Sequence, residues 1–315
     1  MRIVRNKMFC KKLEVPARLN RLFLLGVMFL LLFFPVSLQA QQKHALLIGI
    51  SDYPQYDAPN ASWTQIHGSN DVQLVSPILA KQGFSIIALT DKSATHQAIE
   101  DNFKKLEMSV NSGDIVYIHL SGHGQAVEDE SGDEEDGWDE SFVPYDARQC
   151  YQEKDYHGEN HLLDDELNEN LNLIRKKVGK LGMIYVVIDA CHAGSSYRGD
   201  ELEEIVFVRG TEMGFSRDGK SYVPRIDRRG NIRFSAENEM APVYMLEACR
   251  SYEVNAEIMQ NGQYYGPLSY YISQQLLTTT LSFDTTWIEE VRKNMNKDIR
   301  LGLEGIRESK DRHSS

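Results

Sequence analysis

The sequence is short of basic residues. Lys and Arg number 34 against 46 Asp and Glu in 315 residues, a formal net charge of −12. A chain with that balance lacks a basic face for phosphates, which argues against nucleic acid as a partner. It suits attraction of cations or basic peptides instead. Cysteine is also scarce, with four residues. Cys10 lies in the leading segment, which leaves Cys150, Cys191 and Cys249. An odd set cannot close a full disulfide framework. Cys150 and Cys249 are candidates to pair, which sequence alone does not decide. Cys191 is expected to stay unbridged. No internal repeat and no long low-complexity tract is present.

The apolar run from Leu22 to Phe34 is shorter than the ~20 residues that a membrane span needs. It follows a basic lead of Arg2, Arg5, Lys7, Lys11, Lys12, Arg18 and Arg21, and precedes Pro35 and Ser37-Leu38-Gln39-Ala40. Residues 1–40 therefore read as a signal peptide, with a secreted or periplasmic product. If the segment is uncleaved, it becomes a membrane anchor. Those 40 residues carry seven bases and one acid, so their removal takes the formal charge from −12 to −18. Residues 41–280 suffice for one large α/β domain, with 281–315 as a C-terminal helix and tail.

Beyond residue 40, short apolar runs alternate with helix-length segments. Strands are predicted at Ala45–Ile50, Phe84–Leu89, Ile115–Leu120, Met183–Ile188 and Pro242–Leu246. Helices are predicted at Asp71–Gln82, Thr95–Met108, Asp164–Val178, Pro267–Leu277 and Thr286–Arg300. This rhythm implies a mostly parallel central sheet with helices on both faces. Two segments break it. Residues 128–140 hold nine acids in thirteen positions, and residues 199–239 have no apolar period but several arginines. Irregular stretches of that length are functional or disordered more often than structural.

Two strands end in reactive side chains. Ile115–Leu120 leads into Ser121-Gly122-His123-Gly124, and Met183–Ile188 leads into Asp189-Ala190-Cys191-His192-Ala193-Gly194. In open α/β sheets, ligands bind at the carboxyl edge of the strands. A cysteine and a histidine brought there together form the minimal unit of thiol catalysis. The small residues after Cys191 leave room for a substrate, and the glycines around His123 leave its imidazole uncrowded. A lone cysteine after a core strand is ordinarily structural, and it is the flanking motif that argues otherwise. His192 and His119 read as structural.

The two motifs together resemble those of the caspase-fold cysteine peptidases, and of the metacaspases in particular. The resemblance covers roughly residues 43–278. It includes Gly132-Asp133-Glu134-Glu135-Asp136-Gly137-Trp138-Asp139-Glu140, Leu163-Asp164-Asp165-Glu166-Leu167 and Glu247-Ala248-Cys249-Arg250. Ala193-Gly194 departs mildly from the Ser-Gly usual there. The resemblance implies a caspase-like three-layer sandwich. It implies Cys191 as nucleophile and His123 as general base, with the oxyanion on the backbone N–H groups of Cys191 and Gly122. It implies substrate binding by Asp71, Ser121 and Asp189, whose two carboxylates would select a basic side chain. No cofactor is needed for the chemistry. Calcium is a family activator, for which Asp136, Asp139, Asp164 and Asp165 are the candidate ligands. A solvated acidic loop is the competing reading of that run, and Arg198 stands near where the family often has a further acid, with Asp200 close by.

The function so implied is a secreted cysteine endopeptidase cutting after Arg or Lys, acting as a monomer on protein or peptide substrates with basic residues. No membrane partner is expected once the signal is removed. Self-cleavage is expected within Arg217–Arg233. The alternatives are a caspase-fold module that binds peptides without cutting them, and a peptidase of different primary specificity.

Overall fold

The computed structural model describes residues 40–132, 134, 136–192, 207–223, 239–249 and 254–296. The expected signal segment up to residue 39 lies outside the described residues. So do Asp133, Glu135, Arg198, Asp200, the 224–233 part of the expected cleavage stretch and the tail after residue 296. Met1–Ala40 and Gln41–Ser315 are separate units.

Five parallel strands form the central sheet. They are β1 (Lys43–Gly49), β2 (Phe84–Thr90), β3 (Ile115–Ser121), β7 (Met183–Asp189) and β8 (Val243–Glu247), in the order β2-β1-β3-β7-β8. The inner strands are buried on both faces, which is why β1, β3 and β7 read as continuous apolar runs. Successive side chains still alternate between two cores. Leu46, Ile48, Val116, Ile118, Ile184 and Val186 face one core. Ala45, Leu47, Tyr117, Tyr185 and Val187 face the other.

Helices α2 (His96–Ser109) and α3 (Asp164–Val178) cover the first core with Ile99, Phe103, Leu106, Leu167, Leu171 and Ile174. Helices α1 (Gly68–Lys81) and α4 (Pro267–Leu276) cover the second with Val72, Val75, Leu79, Leu268 and Ile272. Helical turns over 286–296 add Trp287 and Val291 there. The expected three-layer sandwich on a mostly parallel sheet is found.

Two small sheets had no sequence signal. One is antiparallel β4 (Gly124–Glu128), β5 (Trp138–Phe142) and β6 (Leu162–Leu163). The other is the hairpin β9 (Ile258–Gln260) and β10 (Gln263–Tyr265). It turns at Asn261 and Gly262, both at positive φ. These pieces are short and wall the cleft at the carboxyl edge of the sheet.

Candidate active site

The register of the sheet brings the two motifs level. Ser121 of β3 pairs with Asp189 of β7. His123 and Cys191 each lie two residues further on, so both overhang the same edge. Cys191 is fully buried, and His123 nearly so.

What buries them is the chain itself. Arg209, fully buried, runs its guanidinium into a pocket at this edge. Nη1 lies 2.7 Å from Asp71 Oδ2 and 3.7 Å from Asp189 Oδ1. It also donates to Ser121 Oγ at 2.6 Å and to the Asp189 carbonyl at 3.1 Å. Nε and Nη2 donate to Glu257 Oε1 at 3.0 and 2.8 Å. The planar fork thus finds acceptors along its whole edge, the geometry that favours arginine over lysine. Burial works against the guanidinium charge, but Asp71, Asp189 and Glu257 more than offset it and hold the group above its ordinary range. Burial pushes the Asp71 carboxyl up to about 7; Arg209 pulls it down and Asp189 pushes it further up.

Asp71, Ser121 and Asp189, the residues that the resemblance implied for substrate binding, therefore sit together. Their shares differ. Ser121 Oγ donates to Asp71 Oδ2 at 2.5 Å. Asp189 spends its carboxylate mainly on α4, accepting from Ser269 N and Oγ at 2.7 Å each and from Asn255 Nδ2 at 2.8 Å. A carboxylate is well placed there, because the first turn of a helix leaves N–H groups unpaired and positive. His119 Nε2 bonds Ser269 Oγ at 2.9 Å, and Tyr117 bonds His119 Nδ1 at 3.1 Å. His119 is packed, as expected, and braces the pocket floor. Glu257 is a third carboxylate that sequence reading missed. It precedes a three-residue strand, and no periodicity marks it.

Gly266 closes the pocket from the α4 side. A Cβ there would collide with the Asp189 carboxylate and with Arg209 Nη1. The Gly266 backbone, at φ −64° and ψ 135°, would suit any residue. The absent side chain, not the conformation, is what the site uses.

The Arg209 carbonyl accepts from Cys191 N at 2.9 Å and from Gly124 N at 3.2 Å. Two converging backbone N–H groups on one carbonyl oxygen are the arrangement that stabilises an oxyanion. Gly122 was expected as the second donor. Its N–H instead points to the Asp189 carbonyl at 3.4 Å. The turn around His123 swings Gly124 toward Cys191, and a Cβ on Gly124 would collide with the Cys191 carbonyl.

On either side of Arg209 the chain lies extended. Arg209 N donates to the Asn255 carbonyl at 3.0 Å, and Glu257 N donates to the Phe207 carbonyl at 2.9 Å. Downstream, Phe215 N donates to the Ala126 carbonyl at 2.7 Å, and Glu128 N to the Phe215 carbonyl at 2.9 Å. Residues 207–215 thus cross the sheet edge pinned at both ends. Arg217, inside the stretch expected to be cut, lies exposed on a turn.

His123 stacks on Trp63, with ring centroids 4.8 Å apart, and donates from Nε2 to the Thr64 carbonyl at 2.9 Å. A carbonyl only accepts, so Nε2 carries the proton and Nδ1 keeps its lone pair. Nδ1 is buried and has no hydrogen-bond partner. Burial holds the imidazole down at about 4, with Thr64 raising it and Arg209 lowering it. It is neutral at neutral pH and can accept a proton.

Residues 43–198 match the family model for the metacaspase, peptidase C14 domain. This is a caspase-fold, metacaspase-like chain. The matched model describes a peptidase domain. It is 27% identical to metacaspase-1 of Schizosaccharomyces pombe over 73% of this chain and 58% of that one. It is 31% identical to metacaspase-7 of Arabidopsis thaliana over 51% of this chain and 37% of that one. The crystal structure of caspase-1 from Spodoptera frugiperda is similar over 80% of this chain and 77% of its own, at 11% identity and a TM-score of 0.43. The chain spans about three fifths of the length of the first curated relatives. Arg209, Glu257 and Gly266 lie beyond the residues that the family model matches.

The expected calcium ligands of this metacaspase-like chain do not form one donor set. Burial, then Glu140, Asp139 and Asp165, push the Asp164 carboxyl up to about 7. Asp164 Oδ1 has no hydrogen-bond partner. Asp136 accepts from Trp138 N at 3.3 Å. Among the described residues no three His, Cys, Asp or Glu side chains are grouped to hold a metal ion. His192 pairs through Nδ1 with Glu140 Oε2 at 3.0 Å. Burial lowers the imidazole, and the carboxylate overrides this and carries it to about 9. The Cys150 thiol points to the Pro59 carbonyl and that of Cys249 to the Ala190 carbonyl, each at 3.5 Å, so these two do not pair.

Proposed function

We propose that the chain is a cysteine endopeptidase that cuts after arginine, with lysine as a poorer choice, and that its first substrate is its own Arg209–Gly210 bond. One observation supports this above others. Arg209 is buried as a substrate residue would be, its side chain among three carboxylates and its carbonyl on two backbone N–H groups beside Cys191.

In this reading His123 Nδ1 takes the Cys191 thiol proton as sulfur attacks the Arg209 carbonyl carbon. The carbonyl oxygen becomes an oxyanion on the N–H groups of Cys191 and Gly124. The C–N bond to Gly210 then breaks, and the proton on His123 goes to the leaving amine. Water hydrolyses the acyl-enzyme, again with His123 as base. Because His123 is neutral, its Nδ1 lone pair is free to take the thiol proton as the attack proceeds.

Substrates other than itself would be proteins or peptides with basic residues, drawn by the acidic chain. A monomer is the proposed working unit. Export is proposed from the basic lead and the apolar run Leu22–Phe34. Among the described residues no helix is long and apolar enough to cross a membrane. Calcium is kept in the proposal only as an activator. The crowding of Asp139, Glu140 and Asp165 around Asp164 would be eased by a cation, but no step runs through one. Equal rates in calcium and in chelator would remove it.

The second reading is a silent peptide-binding module, in which Arg209 is a permanent plug. Its complete burial among carboxylates favours this. The deciding experiment offers the full chain peptide reporters ending in Arg, Lys or Asp, and follows its own mass beside Cys191→Ala. No turnover and no new mass would leave the plug. A preference for Asp would overturn the pocket assignment.

A further inference from the structure

We infer that the cleft has a second specificity subsite, walled by His67 and Tyr264, which takes an aromatic side chain two residues before the basic one. The inference rests on the reading of Arg209 as a substrate residue. In that frame Phe207 stands two positions before it, with Val208 between. Strand pairing fixes this spacing. The carbonyl of Phe207 and the N–H of Arg209 both bond the 255–257 segment, so residues 207 and 209 project to the same side and Val208 to the other.

Phe207 meets two rings. Its centroid lies 4.6 Å from that of His67, edge-on at 88°, and 4.7 Å from that of Tyr264 at 68°. His67 and Tyr264 stack on each other at 5.0 Å and 25°. Edge-to-face contact at these separations is the preferred geometry for aromatic pairs. The slot accepts a flat ring, and an aliphatic chain would leave its faces uncovered.

The walls have hydrogen bonds of their own. His67 Nδ1 lies 2.6 Å from Glu257 Oε2, and its backbone N donates to Glu257 Oε1 at 2.8 Å. The Tyr264 carbonyl accepts from Asn70 Nδ2 at 3.0 Å. Asn70 and His67 belong to the start of α1, whose Asp71 lines the arginine pocket. Glu257 touches the guanidinium with Oε1 and His67 with Oε2. The two subsites thus share one carboxylate. A ring that seats His67 also fixes the acid that grips the arginine, so the aromatic residue should act on binding of the basic one.

The test uses paired reporters, Phe-Val-Arg, Leu-Val-Arg and Ala-Val-Arg, on the full chain and on its Phe207→Ala/Arg209→Ala form, whose own ring and guanidinium no longer fill the two subsites. The expected kcat/KM for the Phe reporter exceeds that for Ala by about tenfold or more, from ring burial and two aromatic contacts. Leu falls between them. Tyr264→Ala should bring the three within about twofold of one another while keeping Arg above Asp at the cut. Equal rates for Phe and Ala in a chain that does cleave after Arg would overturn the subsite and leave the peptidase reading intact. If no reporter is cleaved, the peptidase reading fails, and calorimetry of the same peptides with the Phe207→Ala/Arg209→Ala chain decides the subsite. Tighter binding of Phe-Val-Arg supports it, and equal affinity overturns it.

Discussion

The carbonyl oxygen of Arg209 lies 2.9 Å from the amide nitrogen of Cys191. Eighteen positions separate the two residues along the chain, yet they meet as substrate and nucleophile would. Nothing about this contact is needed to hold the sheet, since β7 is already paired on both sides. Its consequence is positional. In the proposed reading, the peptide bond after Arg209 is the one presented to sulfur.

The full chain should therefore yield two pieces, one ending at Arg209 and one beginning at Gly210. Intact-mass and terminal sequencing would show them. Cys191→Ala should give neither. Arg209→Lys should slow the cut, because an ammonium cannot span Asp71 and Glu257 together as the fork does. A cut confined to 217–233 with Arg209 intact would sink this assignment. The pieces should remain together, since β8 stays in the sheet and residues 213–215 stay on β4.

Glu257→Gln tests the third carboxylate. The amide keeps an acceptor for Nε and Nη2 but gives up the charge. Hydrogen bonds to charged groups are worth about 1.5–3 kcal/mol, so kcat/KM for Arg reporters should fall tenfold or more. Lys reporters should lose less, because lysine cannot engage both Asp71 and Glu257 with one head group. An unchanged Arg-to-Lys ratio would show that Glu257 only supports His67.

Most of the scaffold was legible in the sequence. β1, β3 and β7 are buried on both faces and therefore read as unbroken apolar runs, and each helix shows its inward stripe. His123 and Cys191 were legible because each follows directly on such a run. Asp71 and Asp189 were placed by resemblance; the register of β3 with β7 sets Ser121 beside Asp189, and the Ser121 hydroxyl reaches Asp71 of α1. Glu257 was not legible. It lies next to a strand of three residues, and its meaning depends on Arg209 arriving from another segment. The oxyanion donors show a different limit. Gly122 and Gly124 flank His123 symmetrically, so only the path of the turn tells them apart. The same applies to Arg209 among the arginines of 199–239, where no periodicity distinguishes the buried one from Arg217.

Gly266→Ala should act as a plug of one methyl group. The backbone tolerates alanine, so the sheet and α4 should form. The new Cβ would occupy the space of the Asp189 carboxylate and the guanidinium. A shift of about 1 Å at such a site costs on the order of 10²-fold in rate. Self-cleavage and Arg-reporter turnover should both fall by that order, while the circular dichroism stays native. Wild-type turnover would mean that the pocket opens away from Gly266 when it works.

The pH dependence follows from Asp71, whose carboxyl is raised to about 7 by burial, with Arg209 lowering and Asp189 raising it. The folded chain holds this proton more tightly than the unfolded chain, where the value is 3.8. Its contribution to stability is present at low pH and is lost as pH climbs from about 4 to about 7. Binding of an arginine side chain runs the other way, because it needs the ionised carboxylate. Displacing Arg209 removes the main lowering influence and moves the carboxyl higher still. KM for Arg reporters should therefore fall as pH rises through neutrality, whereas the melting temperature declines below it, between about pH 4 and about pH 7. Asp164 also titrates at about 7 and contributes to the melting curve. Asp71→Asn isolates the pocket's share: the variant should lose the neutral limb in KM and show a flatter melting profile than wild type. Retention of the wild-type KM limb in that variant would assign the titration to another group and remove Asp71 from substrate recognition.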